Sequence, residues 1–112
     1  MSELSNEIIE ELNSELISKL FHGLSNPVRL KIVLSLLDSE KNVSQLVDLL
    51  GMKQAQVSNQ LACLKWCGYI TMRQEGKFIY YQISDERIRK IIELAREVVL
   101  DNADHIRCCT RM

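Results

Sequence analysis

Four cysteines are the residues of this sequence best suited to chemistry, and they fall into two pairs. Cys63 and Cys67 lie four residues apart in QVSNQLACLKWCGYI, and Cys108 and Cys109 are adjacent. Residues at positions i and i+4 of a helix project from the same face, so Cys63 and Cys67 can converge on one ion. Thiolates bind soft metal ions and are also subject to oxidation. The first pair therefore indicates a metal site or a redox-active thiol site.

The size and charge of the chain limit its other functions. It has 112 residues and a formal net charge of −1, which predicts a single domain whose nucleic-acid binding, if any, comes from a local basic surface. No apolar run reaches the roughly 18 residues of a membrane helix, and the acidic start MSELSNEIIEEL does not resemble a signal peptide. The sequence contains no nucleophile motif, phosphate loop or paired-acid signature. We expect a cytoplasmic protein that is not an enzyme and has no membrane partner.

The first third of the chain is predicted to be helical. Apolar residues recur at three- and four-residue steps over residues 7–20, which predicts an amphipathic helix ending near Gly23. In so short a chain we interpret residues 1–24 as a dimerisation arm. The segment SNP at residues 25–27 is a strong start signal for the next helix, because a polar cap precedes a proline at the first helical position.

The two cysteines at positions 63 and 67 fall on the second helix of a predicted helix-turn-helix. Ser44 is the expected cap of a short helix, and Gly51 supplies the turn before a longer helix from about Lys53 to Cys67. Two helices joined by a short, glycine-containing turn form this motif, here over residues 44–67.

A β-hairpin and a last helix complete the prediction. Residues 69–73 and 78–83 are rich in β-branched and aromatic side chains around a turn, which predicts a wing over residues 69–84. Ser84 and Asp85 are expected to cap a second dimerisation helix over residues 85–101, followed by a polar tail, residues 102–112. The fold prediction is one mainly α domain with a small hairpin, a dimeric winged helix-turn-helix over residues 1–112.

Polar and basic side chains of the second motif helix and the wing are candidates for DNA contact. Glutamine and asparagine suit adenine edges in the major groove, whereas lysine and arginine suit phosphates. The candidate DNA-binding residues are Lys53, Gln54, Gln56, Ser58, Asn59, Gln60, Lys65, Arg73 and Lys77. A homodimer would present two such helices to double-stranded operator DNA.

The order of these elements resembles that of the ArsR/SmtB family of metal-responsive repressors over nearly the whole chain. The segments LSNPVRLKIVLSLL, QVSNQLACL and EGKFIYYQI carry the resemblance, and LACLKWCG with a later cysteine is similar to the CmtR-type, cadmium- and lead-sensing branch. The resemblance implies a repressor that binds its operator without metal and leaves it when the ion binds. It also implies Cys63, Cys67 and Cys108 as metal ligands and residues 102–112 as a metal-binding tail, with Cys109 as an additional candidate.

The chain departs from the family pattern at two places. Many members carry histidine where this chain has Gln60, and residues 85–100 lack the histidine that the family's zinc sensors use on the last helix. Three thiolates match cadmium or lead, with arsenite or zinc as alternatives, although structural zinc normally takes four ligands. Which chain donates the tail cysteine stays open.

Two other functions stay open at this point. The first is a repressor of the same fold that responds to thiol oxidation or to persulfide instead of a metal ion. The second is a dimeric interaction or metal-buffering protein that does not bind DNA. Operator binding separates the second from both repressors, and metal stoichiometry under reducing conditions separates the two repressors.

Overall fold

The computed structural model describes residues 3–108, with side chains from Ile9 onward, and contains five helices and one hairpin in that range. The helices are α1 (Glu3–Leu24), α2 (Pro27–Ser35), α3 (Val43–Leu50), α4 (Gln54–Trp66) and α5 (Glu86–Cys108), and the strands are β1 (Ile70–Glu75) and β2 (Phe78–Ile83). This order confirms the predicted mainly α fold with a two-stranded antiparallel hairpin. In residues 3–108, no helix is both long and apolar enough to cross a membrane.

Local side-chain bonds determine where the short helices begin. Asn26 accepts a hydrogen bond from the Val28 amide at 2.9 Å, next to the proline that opens α2. At α3 the predicted cap, Ser44, is wrong. Asn42 is the cap, because its side chain accepts from the Gln45 amide at 2.8 Å while the Gln45 side chain accepts from the Asn42 amide at 2.9 Å. The position of α3 relative to α4 then depends on Gly51, which adopts φ 64°.

The core forms where α2, α3, α4 and the start of the wing meet. The buried residues of α4, Val57, Leu61 and Leu64, recur at steps of four and three and therefore lie on one face of the helix, while the opposite face is exposed. The side chains that are completely buried are Ile32, Val33, Leu36, Leu46, Val57, Leu61, Leu64 and Ile70.

Helices α1 and α5 contribute little to that core and leave apolar side chains exposed. Along α1 these are Ile9, Leu12, Leu16, Ile17 and Phe21, and along α5 they are Leu94, Val98, Val99, Leu100 and Ile106. A groove of about 350 Å³ separates α5 from α2, and its walls are mostly apolar. Contiguous apolar surface of this kind marks an interaction face.

The hairpin is joined to the rest of the domain at its base. Strands β1 and β2 pair from Ile70 opposite Ile83 to Glu75 opposite Phe78. Lys41 adds an isolated bridge to Tyr81, with the Tyr81 amide donating to the Lys41 carbonyl at 2.9 Å. The wing is therefore tied to the segment between α2 and α3.

Helix α5 is longer than the sequence analysis predicted. A polar tail is predicted over residues 102–112, but the helix continues to Cys108, because no glycine or proline interrupts the sequence after Ser84. A kink marks the expected boundary. Asn102 has non-helical angles (φ −126°, ψ 25°), and its side-chain amide donates to the Val98 carbonyl at 3.0 Å.

Candidate functional site

Cys63 lies on the last turn of α4 and Cys67 is the residue that caps its C-terminal end, and both project from the same flank of the helix. The Cys67 amide donates to the Cys63 carbonyl at 3.0 Å, so the helical turn between them is intact. Cys63 is half-buried and Cys67 is exposed, and both are free thiols. This geometry agrees with the predicted i,i+4 pair and leaves both sulfur atoms available to one ion.

The Cys63 and Cys67 thiols are close enough to interact electrostatically. Partial burial is the largest cause that raises the pKa of the Cys67 thiol, and Cys63 raises it further through charge and through a hydrogen bond. The positive charge of Arg29 acts in the opposite direction. Thiols bind metal ions as thiolates, so binding of an ion to this pair is expected to release protons.

Cys67 also lies next to the C-terminal part of α1. A groove of about 440 Å³ opens here, lined by Leu16, Lys19, Leu20, Trp66, Cys67 and Tyr69. The Tyr69 hydroxyl donates to the Leu20 carbonyl at 2.8 Å and lies so close to Gly23 that a β-carbon there would overlap it. Trp66, at the edge of this groove, is 91% exposed, and we expect it to pack against a partner.

The third predicted ligand is not assembled with this pair. Cys108 is exposed at the end of α5, and no three histidine, cysteine or carboxylate side chains within the described part of the chain cluster as a metal site would require. Cys109 lies outside the described residues. A third thiolate would therefore reach Cys63 and Cys67 only by movement of α5 or from a second protomer.

Most of the predicted DNA-binding residues of α4 are accessible. Lys53 lies at the N-cap, Gln54, Gln56, Asn59 and Lys65 are exposed, and Ser58 is half-buried. Gln60 differs, because its side-chain oxygen accepts a hydrogen bond from Arg29 Nε at 2.9 Å. Sequence reasoning missed Arg29; the available signal was a basic residue in the first turn of α2.

The two predicted basic residues of the wing differ in their surroundings. Arg73 forms ion pairs with Glu40 and, at 2.9 Å, with Glu75, and lies 5.0 Å from the centre of the Tyr80 ring. Lys77 makes no ion pair with any residue from 9 to 108, and its ammonium lies 5.6 Å from the centre of the Phe78 ring. Lys77 therefore carries the uncompensated charge at the wing tip.

We expect Lys77→Ala to weaken operator binding more than Arg73→Ala does. Removing a cation that binds one phosphate should reduce the slope of log affinity against log salt by about one, and the Arg73 charge is already balanced by two carboxylates. Fluorescence anisotropy at several salt concentrations measures both slopes, with Lys90→Ala on α5 as the control. Equal changes in the two wing variants would show that Arg73 also reaches a phosphate.

Comparison with known proteins agrees with this architecture. The model of the family described as bacterial regulatory protein, arsR family, matches residues 26–72. The probable mercury resistance operon repressor of Streptomyces lividans is 37% identical over 95 residues, covering 85% of this chain and 76% of that protein. The transcriptional regulator CmtR of Mycobacterium tuberculosis is 31% identical over 90 residues, covering 80% of this chain and 76% of CmtR.

A solved structure shows the same architecture. The homodimeric winged helix-turn-helix DNA-binding domain Mb0332 of Mycobacterium bovis superposes with a TM-score of 0.71 and 25% identity, covering 100% of this chain and 96% of that one. The predicted winged helix-turn-helix is thereby confirmed. The protein belongs to the ArsR family of bacterial regulatory proteins, a family of transcriptional regulators and not of enzymes.

Proposed function

We propose that this protein is a homodimeric, metal-responsive repressor that binds operator DNA in its metal-free form and releases it when a thiophilic ion binds. The observation that carries the proposal is the pair of free thiols at the C-terminal end of α4, the helix whose exposed side chains suit base edges. Relatives named for mercury resistance and as CmtR support a metal effector. As a DNA-binding regulator the protein would act in the cytoplasm.

Cadmium and lead are the ions we propose first, with Cys63, Cys67 and Cys108 as ligands. Three sulfur donors suit large, soft divalent ions, whereas zinc in structural sites takes four donors. Because Cys108 is not beside the pair within one protomer, the partner's α5 is the proposed source of the third thiolate. One ion would then connect the two protomers at the helices that read DNA.

A titration of operator binding tests the proposal. Reduced protein is mixed with labelled operator DNA, and anisotropy is followed as cadmium, lead, arsenite or zinc is added. Release by cadmium or lead at one ion per thiol site is the expected result. Operator binding that responds to oxidant and not to any ion would favour the thiol-redox repressor, since all three described cysteines are free and two are exposed. Metal binding without any DNA binding would favour a buffering protein.

We expect a stable dimer with an imperfectly palindromic operator. The exposed apolar residues of α1 and α5 need a partner, and two-fold symmetry would present two α4 helices to successive major grooves about 10 bp apart. Light scattering and footprinting measure the two quantities. A monomer at micromolar concentration would contradict this expectation.

A further inference from the structure

Arg29 connects three helices from a half-buried position. It lies in the first turn of α2, where its amide donates to Asn26 Oδ1 at 3.2 Å. Its side chain crosses to α4, where Nε donates to Gln60 Oε1 at 2.9 Å, and Nη1 approaches the Gly23 carbonyl at the end of α1 at 3.5 Å. One guanidinium group therefore contacts the arm and the DNA-reading helix together.

Gln60, the hydrogen-bond partner of Arg29, lies on the same flank of α4 as the two cysteines. At about 100° per residue, Gln60, Cys63 and Cys67 fall within roughly 60° of one another around the axis of α4. The guanidinium is consequently at the same flank as the two sulfur atoms.

A metal ion would change the charge that faces Arg29. A divalent ion with three thiolates carries one net negative charge, whereas trivalent arsenic with three thiolates is neutral. A guanidinium has five N–H donors, and in this structure Nε is committed to Gln60. Charge-assisted hydrogen bonds are about twice as strong as neutral ones, so an anionic thiolate complex competes effectively with the neutral amide oxygen of Gln60.

We propose that Arg29 is the positioning residue that connects the thiol site to the DNA-reading face of α4. Its charge balances an anionic metal–thiolate complex, and the shift toward that complex releases Gln60 and changes how α4 is held against α1 and α2. The inference rests on the proposed metal-responsive function and adds to it a preference for divalent ions over arsenite. It also gives Gln60, where many family members have histidine, a role inside the protein.

The experiment compares four variants of the full-length chain. Arg29→Met removes the charge, Arg29→Lys keeps it, and Gln60→Leu removes the acceptor. Lys31→Met, which removes an exposed charge from the same helix, is the control. Cadmium and arsenite affinities are read from ligand-to-metal absorbance, and operator affinity is measured with and without cadmium. Circular dichroism checks folding, and because Arg29 is half-buried, Arg29→Lys and Gln60→Leu decide the outcome if Arg29→Met does not fold.

Arg29→Met should lower cadmium affinity by about 10- to 100-fold, the usual effect of losing an outer-shell partner, and should change arsenite affinity much less. Arg29→Lys should restore most of the cadmium affinity, because the charge is kept. Gln60→Leu should bind cadmium normally, but its ratio of metal-free to metal-bound operator affinity should fall toward one.

The outcomes that overturn the inference separate the role of Arg29 from the metal site itself. Wild-type cadmium affinity in a folded Arg29→Met, or a wild-type operator ratio in Gln60→Leu, overturns the role of Arg29 alone. If Arg29→Met does not fold, Arg29→Lys decides: a cadmium affinity as low as that of a cysteine variant overturns the role of Arg29. Absence of cadmium absorbance in the wild type overturns the metal site and this inference together.

Discussion

Cys63→Ser and Cys67→Ser are expected to keep operator binding and to lose its release by cadmium. Both side chains lie at the C-terminal end of α4, and neither belongs to the fully buried core, so replacing sulfur by oxygen leaves the helix in place. Serine does not replace thiolate as a ligand for a soft ion. If coupling between metal and DNA has its ordinary size, wild-type affinity falls by about 5- to 150-fold on metal binding, and this change should vanish in both variants.

Operator titrations with and without cadmium measure the effect. Ala62→Ser is the matched control, because it adds a hydroxyl group to an exposed position of the same helix and removes no thiol. Full release in either cysteine variant would show that the effector binds elsewhere. Loss of operator binding in the absence of metal would show instead that the thiols support the fold of α4.

Leu46→Ala should reduce the free energy of unfolding by about 2–5 kcal/mol, the range for deleting a buried leucine side chain. Leu46 is fully buried at the contact between α3 and α4, whereas Leu49 of the same helix is 59% exposed. Leu49→Ala is therefore the matched control and should change this free energy by less than about 1 kcal/mol. Urea unfolding at one fixed protein concentration compares the two. Similar decreases in both variants would show that Leu46 is not the leucine through which α3 packs on α4.

Local patterns were sufficient to predict most of the fold. The expected helix from about Lys53 to Cys67 differs from α4 by one residue at each end, because an abrupt change in pattern marks both ends. The cap of α3 was misplaced, although the capping-box pattern of Asn42 and Gln45 is readable in the sequence. The length of α5 was underestimated, since polar composition alone does not end a helix.

The candidate site could be predicted only where its residues are close in sequence. The spacing of Cys63 and Cys67 is a property of one helix, and the structure agrees with it. The bond between Arg29 and Gln60 joins residues 31 positions apart, and no periodicity encodes such a contact. The same applies to Arg73, whose pairing with Glu40 depends on how the wing packs against the α2–α3 segment.

The kink at Asn102 sets the direction of the last residues of α5, so a small change of angle there moves the end of the helix by a larger distance. Cys108 lies six positions after Asn102, which at about 1.5 Å per residue gives a segment of roughly 9 Å. Turning that segment by about 20° displaces its tip by roughly 3 Å, far more than the tolerance of about 0.2 Å in a metal–ligand distance. In the proposed metal site, the backbone angle at Asn102 would therefore determine whether the Cys108 thiol reaches the ion.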